Sequence, residues 1–129
     1  MDQDLSILLE YMENGQDEEV ISLYKKDVPW SEQDQLALIQ HSCFFDRPQL
    51  LRYFIAQGFD IEGVDEIGWR PLHCATAKSV NCVRILLKTG ANTNVISDYN
   101  QTPLDVAKEQ GSDETIKLLE EWNAKKMVG

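Results

Sequence analysis

Basic residues are scarce in this chain. Twelve Lys and Arg stand against 22 Asp and Glu, a net charge of −10 that repels phosphate backbones and attracts basic surfaces. Nucleic acid is therefore not an expected partner. Cysteines number three, Cys43, Cys74 and Cys82, an odd count without a C-x-x-C pair, which indicates neither a disulfide framework nor a zinc cage. Reduced thiols in a cytoplasmic setting are expected. No apolar run approaches the roughly 18 residues that would span a bilayer. The N-terminal stretch MDQDLSILLE is acidic where a secretory signal needs positive charge. Neither secretion nor membrane insertion is expected. Glycines stand singly at 15, 58, 63, 68, 90, 111 and 129, so no glycine-rich phosphate loop is present.

Hydrophobic residues make up 43% of the chain and charged residues 26%, the balance of a folded protein and not of a disordered one. At 129 residues it is one domain by size. Eight short segments carry apolar residues at spacings of three and four: LSILLEYM, EEVISLY, LALIQHSCFF, QLLRYFI, PLHCATA, CVRILL, PLDVAKEQ and ETIKLLEEW. None has an internal proline, and Gly, Asn, Asp or Pro separates them as turn punctuation. Only TNVIS (93–97) and FDIEGV look extended, each too short for a sheet. The fold class is all-α, with short hairpin-like connectors.

The second half repeats itself. Gly58-Phe59-Asp60 returns as Gly90-Ala91-Asn92, and Pro71-Leu72-His73 returns after the same interval as Pro103-Leu104-Asp105. Leu51, Tyr53 and Phe54 recur as Val83, Ile85 and Leu86, then as Ile116, Leu118 and Leu119. Two helices per period of about 33 residues cannot bury an apolar face alone, so each unit must stack on its neighbours.

These residues resemble ankyrin repeats, whose unit is a β-turn and two antiparallel helices opening on T-P-L-H-x-A. Asp65, Gly68, Pro71, Leu72, His73 and Ala75 match the start of one repeat, which Gly90-Ala91 closes. The next supplies Thr102, Pro103, Leu104, Ala107 and Gly111. LALIQHSCFFDRPQLLRYFIAQGFD matches a divergent repeat without T-P-L-H, and LLEYMENGQDEEVISLY an N-terminal one with Gly15 at its turn. The resemblance implies a single ankyrin-repeat α-solenoid over 1–129, with four repeats at about 1–31, 32–64, 65–96 and 97–129. Two departures stand out. The turn glycine expected near Lys78-Ser79 is missing and that repeat is one residue short, which predicts a tighter turn. Arg70 stands where a capping Thr belongs, and its side chain has no acceptor oxygen for a helix start. Thr102, Pro103 and Asp105, in contrast, form a self-sufficient start resembling a capping box.

His73 beside Cys74 poses a chemical question. His73, Cys74, His41 and Cys43 together contain zinc-ligand and thiol-activating types. Neighbouring helical residues, however, point about 100° apart, and no Asp or Asn is placed to orient either ring. The resemblance implies instead that His73 bonds backbone groups of its own and the following repeat, while Asp105 at the matching place marks the last repeat. Lys117, Glu120, Glu121, Lys125 and Lys126 would give that end a polar face. No catalytic residue, metal or cofactor is expected. The paired carboxylates Asp17, Glu18 and Glu19, and Glu120 and Glu121, are read as solvated charge.

Ankyrin repeats bind other proteins on a concave face of hairpin tips and first helices, and the resemblance places a partner site there. The positions are Gln33, Asp34, Leu36, Phe44 and Phe45; then Glu66, Ile67, Trp69, Ala77 and Lys78; then Asp98, Tyr99, Gln101, Glu109 and Gln110. Phe44, Phe45, Trp69 and Tyr99 are the candidate anchors, although Phe44 and Phe45 could instead pack between repeats. Trp30, in DVPW, could be a further anchor or could close the core under its loop. With Asp34, Glu66, Asp98 and Glu109 as an acidic rim, a partner protein with a basic surface is expected, and a monomer. The chain then reads as a non-catalytic interaction module, an adaptor or an inhibitory subunit. An immunity or antitoxin-like inhibitor of a toxic enzyme is the narrower alternative, and a metal- or thiol-dependent enzyme the alternative of another class.

Overall fold

A computed structural model describes residues 2–24 and 29–128, with side chains from 5 to 24 and from 29 to 125. Among the described residues eight helices follow one another: α1 (Asp2–Glu13), α2 (Asp17–Leu23), α3 (Glu32–Phe44), α4 (Pro48–Ala56), α5 (Pro71–Lys78), α6 (Val80–Thr89), α7 (Pro103–Gln110) and α8 (Asp113–Val128). There is no strand among the described residues, and both stretches that looked extended in the sequence lie in the long connectors 57–70 and 90–102. The helices pair as hairpins, α1 with α2 through α7 with α8. The pairs stack: α5 packs against both α3 and α7, and α4 lies between α2 and α6.

Local chemistry sets the helix starts. Pro48, Pro71 and Pro103 each open a helix, where a missing N–H costs nothing. Ser31, Ser79 and Thr102 accept a backbone N–H from the first turn that follows. Thr102 and Asp105 close the anticipated capping box, with bonds of 3.1 and 3.0 Å. At Arg70 the expected weak start is remedied from the other side. Its guanidinium caps nothing and reaches instead to the Glu62 carbonyl and carboxylate, while its backbone N–H is taken by His73 Nδ1 at 3.0 Å.

One continuous core runs through the stack, from Leu8, Met12 and Val20 through Leu38, Leu51 and Phe54 to Leu86 and Leu119. Cys43, Cys74 and Cys82 are buried in it. Trp30 is buried as well and stacks on Tyr24, which also meets Tyr53, Phe54 and Phe59 edge-on. Of the two roles open to Trp30, closing the core is the one it takes.

The turn between α5 and α6 is as tight as its missing residue predicts. Ser79 alone ends one helix and starts the next, donating its N–H to Ala75 and accepting the Cys82 N–H on Oγ. That hydroxyl also donates to Asp46 Oδ1 at 2.6 Å, which ties this turn to the one between α3 and α4. Lys117, Glu120, Glu121 and Lys125 on α8 are exposed, and the Lys126 side chain lies outside the described residues. Of the carboxylates read as solvated, Asp17 is the exception. It is half-buried, and burial raises its pKa against the lowering charge of Arg47.

Candidate protein-binding surface

Each long connector folds into a hairpin braced by one side chain. In the first, Asp65 Oδ1 accepts the N–H groups of Ile67 and Trp69, and the Asp65 N–H donates to the Trp69 carbonyl. Gln40 on α3 donates to both Asp65 Oδ2 and the Trp69 carbonyl, and so fixes the hairpin to the helix beneath it. In the second, Ser97 stands one repeat on from Asp65 and does the same work, its Oγ accepting from Tyr99 and Gln101. Gly68 (φ +79°) has its counterpart in Asn100 (φ +60°), one of the side chains that tolerate the left-handed region.

The two tips touch through their backbones, with the Asp98 N–H donating to the Ile67 carbonyl at 3.0 Å. His73 adds a second tie and takes the role that the resemblance implied. Because the Arg70 N–H can only donate, Nδ1 is the acceptor and the proton sits on Nε2, which donates to the Gln101 carbonyl at 3.0 Å. The imidazole is fully buried, and that burial lowers its pKa, the Gln101 carbonyl pulling the other way. It is a neutral bridge between layers.

Along these aligned tips, apolar side chains stand in water. Tyr99 is 69% exposed, Ile96 58%, Val64 52% and Ile67 38%. They form two register pairs, Val64 with Ile96 and Ile67 with Tyr99, the members of each one repeat apart. Glu66 and Asp98, the tip carboxylates in matching places, are exposed beside them. Between the first tip and α3 lies an open groove of about 630 Å³, lined by Gln33, Leu36, Ala37, Gln40, Val64 and Ile67 together with Asp65 and Glu66.

The other expected positions fall elsewhere. Trp69 does not stand at the tip: it is half-buried, stacked between Phe44 (6.4 Å) and His73 (6.0 Å). Its indole N–H is buried without an acceptor among the described residues. The hairpin, held by Gln40, folds back over α3 and carries the indole with it. Phe44 is half-buried against the core, and Phe45 is half-buried beside His41. Ala77 is buried, and Asp34 is half-buried in the first turn of α3. Gln101 is half-buried and donates from its side chain to Glu109 at 2.7 Å. Val64 and Ile96 escaped the sequence reading, although their matching places in successive repeats were there to be seen.

The sequence comparisons agree with this geometry. The family model for ankyrin repeats (3 copies) matches residues 8–97 and again residues 38–128. The chain belongs to the ankyrin-repeat family. It is 34% identical over 74 residues to ankyrin repeat protein nuc-2 of Neurospora crassa, which covers 56% of this chain and 7% of that protein. It is 31% identical over 86 residues to the putative ankyrin repeat protein FPV219 of fowlpox virus, 64% of this chain and 20% of the relative. To the human transient receptor potential cation channel subfamily A member 1 it is 32% identical over 74 residues, 57% of this chain and 7% of the channel. The chain thus spans a fifth or less of these three relatives.

Ankyrin repeats are protein-binding modules and generally non-catalytic. Two of the three thiols here are poor nucleophiles: burial raises the pKa of Cys74, and a hydrogen bond to Cys82 together with burial raises that of Cys43. The same hydrogen bond lowers the pKa of Cys82, but that side chain is fully buried. Among the described residues no three His, Cys, Asp or Glu side chains are grouped to hold a metal ion, and no helix is long and apolar enough to cross a membrane.

Proposed function

We propose that this ankyrin-repeat chain is an adaptor or inhibitory subunit that docks a protein with a basic surface on its concave face. The observation that carries this reading is the double row Val64/Ile96 and Ile67/Tyr99, apolar and exposed, with Glu66 and Asp98 between. The fold does not require these side chains to be apolar, and large aromatic and aliphatic groups at a rim of one charge are what a docking surface needs. Tyr99 is the principal anchor, Ile67 its neighbour. Trp69 stacked on Phe44 forms the floor, Phe45 adds an aromatic beside His41, and Asp34, Glu66 and Asp98, with the neutral Gln101, form the polar rim that steers a cationic partner.

The test is affinity capture from the native host, with the bound protein identified and its affinity measured. Ile67→Ala with Tyr99→Ala should weaken binding by about 30-fold or more, on the order of 2 kcal/mol. Glu66→Gln with Asp98→Gln should chiefly slow association and flatten its salt dependence. Unchanged affinity in the first variant would rule out this face.

A further inference from the structure

Two neighbouring even-numbered helices, α4 and α6, carry net positive charge. Between α4 and α6 lies an open groove of about 620 Å³ whose ionic lining is Arg52, Arg84 and Lys88 with no carboxylate, the rest being Pro48, Asn81, Ile85 and Thr89. This is unexpected in a chain of net charge −10. Arg52 and Lys88 are exposed and have no ion pair among the described residues. Arg84 pairs with Glu114, but both partners are well exposed, and such a pair contributes little and yields readily to a competing carboxylate.

The cations are also in register. Arg52, Arg84 and Lys117 occupy equivalent places on α4, α6 and α8, one in each successive repeat. Stacked helices lie roughly 10 Å apart, and an extended chain advances about 3.3 Å per residue. Every third residue of a strand laid across the helices would therefore meet the next cation.

We infer that this groove is a second docking site, which takes an extended acidic segment of a partner protein. The arginine forks pair with carboxylates, Asn81 and Thr89 offer polar contacts beside them, and Ile85 and Pro48 line the apolar remainder. A long polyanion suits the site less, because the strongly acidic surface beyond the short cationic row repels it. The chain then joins two partners of opposite charge on two faces.

The test uses the full chain and a fluorescent synthetic peptide with glutamate at every third position, read by anisotropy. The peptide should bind, and binding should weaken as salt rises. Arg52→Glu with Lys88→Glu should lose about tenfold or more, the milder Arg52→Gln with Lys88→Gln should lose part of that, and Ile67→Ala with Tyr99→Ala should lose nothing. Circular dichroism confirms that each variant is folded, as expected for exposed positions. The inference is overturned if the peptide does not bind or the charge reversal leaves its affinity unchanged. It is equally overturned if a single-stranded oligonucleotide binds more tightly, or if sedimentation shows that the groove's variants disrupt a self-association instead.

Discussion

Replacing His73 by Ala should lower the unfolding free energy by about 3 to 5 kcal/mol, a large share of what a domain of this size possesses. The imidazole is fully buried and holds two backbone groups, the Arg70 N–H on its own hairpin and the Gln101 carbonyl of the next. Truncation leaves both unpaired and opens a cavity between α5 and the second hairpin. Asp105 shows the contrast, since it bonds only Thr102 of its own turn and is exposed, so Asp105→Ala should cost about 1 kcal/mol. Urea midpoints of the two variants measure the difference; comparable losses would mean that His73 does not tie the layers.

The same imidazole gives stability a direction in pH. Burial holds the folded pKa of His73 below the unfolded value of 6.5. As pH falls through that unfolded value the unfolded chain takes up a proton that the folded chain refuses, and stability declines. Between about pH 7.5 and pH 5.5 the native chain should lose stability with acidification. His73→Gln should remove most of that slope. A slope unaltered by the substitution would place its origin elsewhere.

Gly68→Ala should cost about 3 kcal/mol, and more than the same change at Gly90. Both glycines have positive φ, +79° and +103°, so both substitutions bear the backbone penalty of about 1 kcal/mol. A Cβ on Gly90 meets nothing within 4 Å, but one on Gly68 would stand 2.7 Å from the Asp98 backbone nitrogen and 2.7 Å from its carboxylate. The first tip must then retreat, breaking the bond from Asp98 to the Ile67 carbonyl and separating Ile67 from Tyr99. Gly68→Ala should therefore also weaken partner binding, whereas Gly90→Ala should leave it intact. Equal costs at the two glycines would show that the tips are not in close contact.

Much of the architecture was legible because it rests on short-range chemistry. Apolar spacings of three and four located all eight helices, and the proline and Ser/Thr signals at Pro71, Pro103 and Thr102 placed helix starts to the residue. His73 was legible through its motif. Trp69 was not, since whether an indole projects or lies flat depends on how far the hairpin bends over α3, and the bonds from Gln40 that hold that bend join parts of the chain distant in sequence. Val64 and Ile96 were hidden for the opposite reason: an apolar residue in a loop looks like core until the fold leaves it outside.

Two-helix units and their recurrence at a steady interval were determined by the chain alone, since each needs only local geometry and a repeated pattern, and the tie at His73 was implied by its motif's resemblance to ankyrin repeats. Which rings meet solvent, and the sorting of an acidic, apolar row onto one face and a cationic groove onto another, was decided by stacking. Charge and hydrophobicity belong to residues, but a surface exists only once neighbouring layers have set which side chains lie side by side.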